Sequence, residues 1–217
     1  MEDSVMIDLE HYARRGHFNY FKNMENPYVG VTCDVDITDF ISEIKAKALP
    51  FFLSFLWYVA KAANAEPEFR QRIFNDGIIE FKNCKTSHTV AKSDGTYCYC
   101  CLNCSLPYYD FIRYAQNEQN NAKSHGDITE NAEDSLSLFF ISSVPWISYT
   151  SLVQPVPFPA DSNPRITWGK YHEQNGKILL PVSVLCHHAL VDGRHIAEFY
   201  HNLDRLLQKQ PELIQRE

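Results

Sequence analysis

Two adjacent histidines, His187 and His188, stand just before the pair Asp192-Gly193. A histidine suits general-base work because its unperturbed pKa of about 6.5 lies close to operating pH. A serine pair, Ser142-Ser143, lies in a separate apolar segment and offers hydroxyls that can donate to a developing oxyanion or act as nucleophiles. Each residue also has an ordinary reading. Neighbouring histidines can be one core and one surface residue, and Asp192 can simply cap a helix.

The elements that would position these groups are legible. Leu180–Cys186 alternates and reads as a strand. On a period of two, Val182, Val184, Cys186 and His188 share one face, while Ser183, Leu185 and His187 share the other. After Gly193, the residues Ile196, Phe199, Tyr200, Leu203, Leu206 and Leu207 make one apolar stripe of a helix over Gly193–Gln208. The histidines therefore sit where a strand hands over to a helix, a common place for sites.

The 217 residues, 45% hydrophobic and 13% aromatic, suffice for one sizeable core, and we expect one domain over 1–217. A net charge of −7 argues against nucleic acid as the main partner, which would call for a basic face. No apolar run reaches the length that spans a membrane, and the acidic N-terminus lacks a signal-peptide pattern, so a cytoplasmic protein is expected. Seven cysteines favour free thiols. The cluster Cys98–Cys104 contains one Cys-x-x-Cys without a second, and its residues alternate along a strand; we expect no metal there.

Along the chain, Asp8–Arg15 reads as a short helix with an acidic start and a basic end. A strand over Val29–Asp36 precedes helices over Thr38–Leu49 and Phe51–Ala65. Pro50 suits the first helical position, and the second helix is apolar nearly all round and so buried. Ile73–Lys82 and Ser87–Cys104 read as paired strands with turns at Asn75-Asp76-Gly77 and Ser93-Asp94-Gly95. Pro107–Asn121 reads as a helix, 123–135 as a loop and Leu136–Ser143 as a strand. Val153–Pro164 holds four of the eleven prolines and reads as irregular. Asn175-Gly176 joins Arg165–His172 to Lys177–Cys186 as a hairpin. The pattern implies an α/β fold, a two-layer mixed β-sheet covered by helices. No Gly-rich phosphate loop or dinucleotide fingerprint is present.

Taken together, His187-His188-Ala-Leu-Val-Asp192-Gly193 resembles the signature of the CoA-dependent acyltransferases. Further segments resemble the chloramphenicol acetyltransferase family within that group. They are Arg14-Arg-Gly-His-Phe18, Asp34–Thr38, Glu66–Ile73, Phe140–Ser151 with its Ser-x-x-Pro-Trp, and Ile166–Tyr171. Order and spacing hold along nearly the whole chain.

The resemblance implies an acetyltransferase that moves the acetyl group of acetyl-CoA directly to a hydroxyl of a small acceptor, with chloramphenicol, and so antibiotic inactivation, as the leading case. It implies His188 as general base and Ser142 as oxyanion donor. Asp192 would pair with Arg14 to support the loop holding the base, and Thr167 would help to hold an ordered water near the transition state. It further implies an acceptor pocket with Tyr20, Phe21, Glu25, Val29 and Tyr97, and a homotrimer with its sites between subunits. No metal, nucleic acid or membrane enters the scheme.

The match is weaker in the acceptor region. Glu25 stands where a small apolar residue is expected, Pro27 where a cysteine is usual, and Arg194 where an aromatic residue follows the Asp-Gly. The segment 124–135 lacks the family's Phe-Pro-x-Gly, and Leu152–Val156 replaces Leu-Asn-x-Ala-Asn. A different hydroxyl or amine acceptor, a non-catalytic trimeric binding protein and a zinc-stabilised structural protein remain as alternatives.

Overall fold

The computed structural model describes residues 3–128 and 135–209. Part of the loop expected over 123–135 lies outside them.

Two sheets form. A small antiparallel one pairs β1 (Ser4–Met6), β4 (Gly77–Phe81) and β3 (Gln71–Phe74) in the order β1-β4-β3. The β3–β4 turn uses Asn75 and Asp76, both at positive φ, which matches the hairpin chemistry of the sequence. The large sheet has seven strands: β2 (Tyr28–Asp36), β10 (Lys177–His187), β8 (Arg165–Trp168), β7 (Leu138–Ser143), β5 (Lys85–Ala91) and β6 (Tyr97–Leu102) in that order, with β9 (His172–Gln174) also paired to β10. Its pairs β5–β7 and β7–β8 are parallel and the others antiparallel, so it is mixed as expected.

Among the described residues there are five α-helices: α1 (Arg15–Phe21), α2 (Thr38–Ala46), α3 (Phe51–Ala65), α4 (Tyr108–His125) and α5 (Gly193–Gln208). One face of the large sheet meets helices. On that face His88 touches Phe52 of α3 and Gln119 of α4, Trp168 packs on Phe52 and Phe55, and the Tyr200 hydroxyl of α5 donates to the Val182 carbonyl. Helix α3 is buried on most of its surface, which explains why it is apolar nearly all round. The core runs from Phe18 to Leu207.

The opposite face carries a row of hydroxyls. Register places Thr32 of β2, Ser183 of β10, Thr167 of β8 and Ser142 of β7 side by side across four strands. The segment 144–164 runs outside the regular strands and covers part of this face; it supplies Tyr149, whose hydroxyl donates to the Thr167 carbonyl, and Gln154, which accepts from the Thr167 hydroxyl.

Several expectations shift. Asp8–Arg15 is not a helix, because the Asp8 carboxylate takes the Glu10 amide and the His11 ring in a local turn, and α1 begins only at Arg15. The helix expected over Thr38–Leu49 stops at Ala46, and Ala48 turns left-handed at φ 51. Pro50 is the residue before α3 rather than its first. Helix α4 continues to His125, past the expected Asn121.

Candidate active site

Strand β10 ends at His187, one residue beyond the expected Cys186, and His188, which the alternation assigned to a strand face, is instead the first residue of a turn. The ladder with β2 is prolonged by one bond, from the His188 amide to the Pro27 carbonyl at 2.7 Å. The turn closes with the Leu190 and Val191 amides donating to the His187 carbonyl. The two histidines then diverge.

His187 is 2% exposed, with its ring edge-on to Tyr28 and its Nδ1 accepting from the Ala189 amide. Burial pushes its pKa down to about 4, so it is a neutral packing residue at physiological pH.

His188 is half-buried, and its ring lies against Phe21 at 4.1 Å between centroids. Its Nδ1 sits 2.9 Å from the Val191 carbonyl oxygen. A carbonyl only accepts, so in the neutral ring the proton must be on Nδ1. Nε2 is left as the bare lone pair, the state a general base requires.

Behind this turn Asp192 works twice. It caps α5, accepting from the Arg194 amide at 3.0 Å, while its own amide donates to His195 Nδ1. It also forms an ion pair with Arg14, whose side chain is largely buried. Partial burial raises the Asp192 pKa, but the Arg14 hydrogen bond and the His195 and Arg14 charges outweigh it and hold the carboxyl below its usual range. The cap and the ion pair with Arg14 are thus both present on one carboxylate.

His195 leads to a second cluster. The Asp192 amide at Nδ1 leaves the His195 proton on Nε2, which faces a Glu68 carboxylate oxygen at 3.6 Å. Burial and the hydrogen-bonded carboxyl of Glu68 raise the Glu66 pKa to about 7. Glu66, Glu68 and His195 are the group among the described residues that can offer three metal ligands. The Cys98–Cys104 residues are not such a group: Cys98, Cys100 and Cys104 are buried while Cys101 is exposed.

Ser142 lies on the wall of a cavity of about 490 Å³ whose lining also includes Thr167, Gln154, Tyr99, Asp161 and Arg165. The Ser142 hydroxyl has no hydrogen bond among the described residues, whereas the Thr167 hydroxyl donates to Gln154 at 3.3 Å. Ser142 and Thr167 are register partners, so one molecule in the cavity can meet both.

His188 does not line this cavity. His187 is four residues beyond Ser183 on β10, and Ser183 is two strands from Ser142. With about 3.3 Å per residue and about 4.8 Å between strands, His187 and Ser142 are roughly 16 Å apart within one chain. The other expected pocket residues divide in the same way. Tyr20, Phe21, Glu25 and Val29 surround the end of β2 near His188, whereas Tyr97 is on β6, at the far edge of the sheet, beside Tyr99. Tyr20, Glu25 and Tyr97 are exposed, and Phe21 and Val29 are half-buried.

The sequence did not single out Tyr149, Gln154, Asp161 or Arg165, all of which touch or line the cavity face. Arg165 had one signal: it precedes Thr167 by two on a strand and so shares its face. Asp161 and Gln154 belong to an irregular segment and had none.

Three comparisons bear on this geometry. The family described as chloramphenicol acetyltransferase matches residues 3–204. Chloramphenicol acetyltransferases of Clostridium butyricum and Clostridium perfringens are 28% and 27% identical, over 93% of this chain and 93% of theirs. A solved structure titled chloramphenicol acetyltransferase superposes with a TM-score of 0.85 at 25% identity, over 94% of this chain and 99% of that one.

Proposed function

The chain belongs to the chloramphenicol acetyltransferase family, and from that premise we propose that it moves the acetyl group of acetyl-CoA to a hydroxyl of chloramphenicol. The observation that carries this reading is the His188 ring, whose Nδ1 is tied to the Val191 carbonyl so that Nε2 is free to accept a proton. The family's co-substrate is acetyl-CoA, and when bound it supplies the activated acetyl group.

His188 Nε2 takes the proton of the acceptor hydroxyl as its oxygen attacks the thioester carbonyl. The protonated ring then has a proton to return to the departing thiolate. Ser142 donates its hydroxyl hydrogen to the oxyanion, a contribution typically worth about 10²–10³ in rate. Its hydroxyl fits that role because nothing among the described residues occupies it. Phe21 holds the plane of the His188 ring, and Arg14 with Asp192 holds the turn beneath it. Thr167, beside Ser142, would place an ordered water near the same oxygen. Transfer is direct: Ser142 lies on a strand without the sharp glycine-flanked turn that presents a serine nucleophile. We give no role to a metal.

The separation of His188 from Ser142 supports a homotrimer whose sites form between subunits, with the base of one subunit entering the cavity of its neighbour. Tyr20, Phe21, Glu25 and Val29 would then meet Tyr97 of another copy around the acceptor. Exposed Trp146, Ile147, Val153 and Phe158 on the segment beside the cavity give such an interface apolar surface to cover. We read residues 1–217 as one catalytic domain, since one core cluster draws on both ends of the chain. No described helix is long and apolar enough to cross a membrane. All seven cysteines are free thiols, which supports a reducing cytoplasmic setting.

The test is thiol release from acetyl-CoA with chloramphenicol as acceptor. The wild-type protein should release one thiol per acetylated acceptor and the His188→Ala variant should not. Acetyl transfer that survives loss of His188 would remove this reading.

A further inference from the structure

The walls of the cavity that holds Ser142 are mostly apolar, and one charged pair stands among them. On the same face of β8 as Thr167, two residues earlier and so about 7 Å along the strand, stands Arg165. It grips Asp161 by two parallel bonds, Nη1 to Oδ1 and Nη2 to Oδ2, each 2.7 Å. This fork is rigid. The guanidinium lies near the rings of Tyr28 and Phe140 at 5.8 and 5.2 Å, Nη1 also donates to the Asn163 carbonyl, and Asp161 Oδ1 also accepts from the Tyr28 hydroxyl.

The bonds among the described residues do not exhaust either partner. They use both hydrogens of Nη1 and one of Nη2, which leaves a second Nη2 hydrogen. Oδ1 takes Nη1 and a share of the Tyr28 hydroxyl hydrogen, which also reaches the Asp161 carbonyl at 3.1 Å, and Oδ2 takes Nη2 alone, which leaves Oδ2 an acceptor site. Arg165 and Asp161 keep 11% and 27% of their side-chain exposure, and both line the cavity. A spare donor thus stands beside a spare acceptor, with the two charges neutralising each other. That combination suits a hydroxyl group, which accepts from one and donates to the other. It does not suit a lone anion or cation, each of which would meet the like charge of the pair. A halogenated end placed there would strip water from both spare sites and return nothing, and a nitroaryl end would accept at the Nη2 site but leave Oδ2 unpaired.

We propose that the Asp161–Arg165 pair is the specificity element of the acceptor pocket and selects acceptors that carry hydroxyls at the end remote from the acetylated one, of polyol or sugar type. This rests on the acetyl-transfer reading of the same cavity and names the class of acceptor that its wall favours. A hydroxylated end seated on the pair satisfies both spare sites at once. Chloramphenicol, with an aryl end, is then a tolerated acceptor rather than the best one.

The experiment compares chloramphenicol with trehalose, a glucosyl glucoside with hydroxyls at both ends, as acceptors in thiol release and as ligands in calorimetry, using the wild-type protein and the Arg165→Met/Asp161→Asn double variant. The wild type should bind and acetylate the glucoside better. The double variant should lose roughly tenfold to hundredfold in glucoside kcat/KM and gain on chloramphenicol, so the selectivity ratio inverts. A loss that is equal for both acceptors in a folded variant would mean that the pair is only structural, and would overturn the proposal. So would a wild-type preference for chloramphenicol that the double variant leaves unchanged. Arg165→Lys, which keeps the charge but not the fork, covers the case in which the double variant does not fold; it should weaken the glucoside preference alone. Calorimetry separates the two claims. Glucoside bound through the pair but never acetylated counts against the transfer reading, and transfer without the selectivity shift counts against this one.

Discussion

The end of β10 and the wall of β7 treat their polar groups in opposite ways. At the end of β10 the groups that hold the His188 ring are committed: Nδ1 to Val191, the amide to Pro27, the ring face to Phe21, and Asp192 to both Arg14 and the α5 amides, while Nε2 alone of the ring is left open. On β7 the Ser142 hydroxyl is uncommitted among the described residues and faces a cavity. A base must arrive in one tautomer and one orientation, so its surroundings are over-determined. A donor to an oxyanion must wait for a charge that exists only in the transition state, so its surroundings are left open. The rigid half and the open half lie roughly 16 Å apart in one chain by strand geometry, which is why we place their meeting between subunits.

Substitutions can break this contrast, and the largest effect falls on the base. His188→Ala should remove about 10²–10⁴ of the rate. His187→Ala should leave substantial activity, since that ring is buried against Tyr28 and takes only the Ala189 amide of the turn. Steady-state kinetics on both variants checks the assignment; equal losses in two folded proteins would contradict it.

Next comes the open half. Ser142→Ala should lower kcat by about 10²–10³ with KM nearly unchanged, because the lost bond strengthens in the transition state. Mass spectrometry after incubation with acetyl-CoA alone should find no acetyl-serine. A stable acetyl group on Ser142 would make the enzyme a two-step one.

A smaller effect is expected from the support behind the base. Asp192→Asn keeps a good helix cap but breaks the pair with Arg14. Because the Asp192 side chain keeps 31% of its exposure, we expect a loss of about 1–3 kcal/mol rather than the 3–5 of a fully buried pair. Asp192→Ala should cost about 1 kcal/mol more through the lost cap. Chemical denaturation of the two variants separates pair from cap.

The smallest effect depends on pH. The Glu66 carboxyl, raised by burial and by Glu68 from 4.5 to about 7, is ionised in the unfolded chain before it is in the folded one. Stability from this group is therefore full below pH 4.5, falls as pH rises from 4.5 to 7, and is constant above. Glu66→Gln should melt higher than wild type at pH 8 and close to it at pH 4.5. A melting difference that does not change with pH would show that Glu66 does not carry a raised pKa.

The sequence carried the committed half better than the open one. Period-two alternation and the helical stripe located β10 and α5, and the Asp-Gly after the histidines located the turn between them, because these signals are local. The strand runs one residue past Cys186, and His188 leaves the strand face expected of it, because the β2–β10 pairing, not propensity, decides where the strand ends. The false helix at Asp8–Arg15 had the right charges, but the Asp8 carboxylate caps its own turn. The open half is assembled by register across four strands and by an irregular segment. Ser183, Tyr149 and Gln154 meet Thr167 only after the sheet forms, so no spacing in the chain announces them.

The claim that the rigid half of one subunit completes the open half of another can be tested by mixing two dead proteins. His188→Ala keeps an intact donor wall, and Ser142→Ala keeps an intact base. If the sites form between subunits of a closed trimer, unfolding the two together in equal amounts and refolding them should give random assemblies in which about a quarter of the sites hold both native residues. We predict that the mixture recovers close to that fraction of wild-type activity. Activity no greater than the sum of the two inactive parents, in trimers shown to contain both chains, would mean that base and donor come from one subunit and would contradict the account.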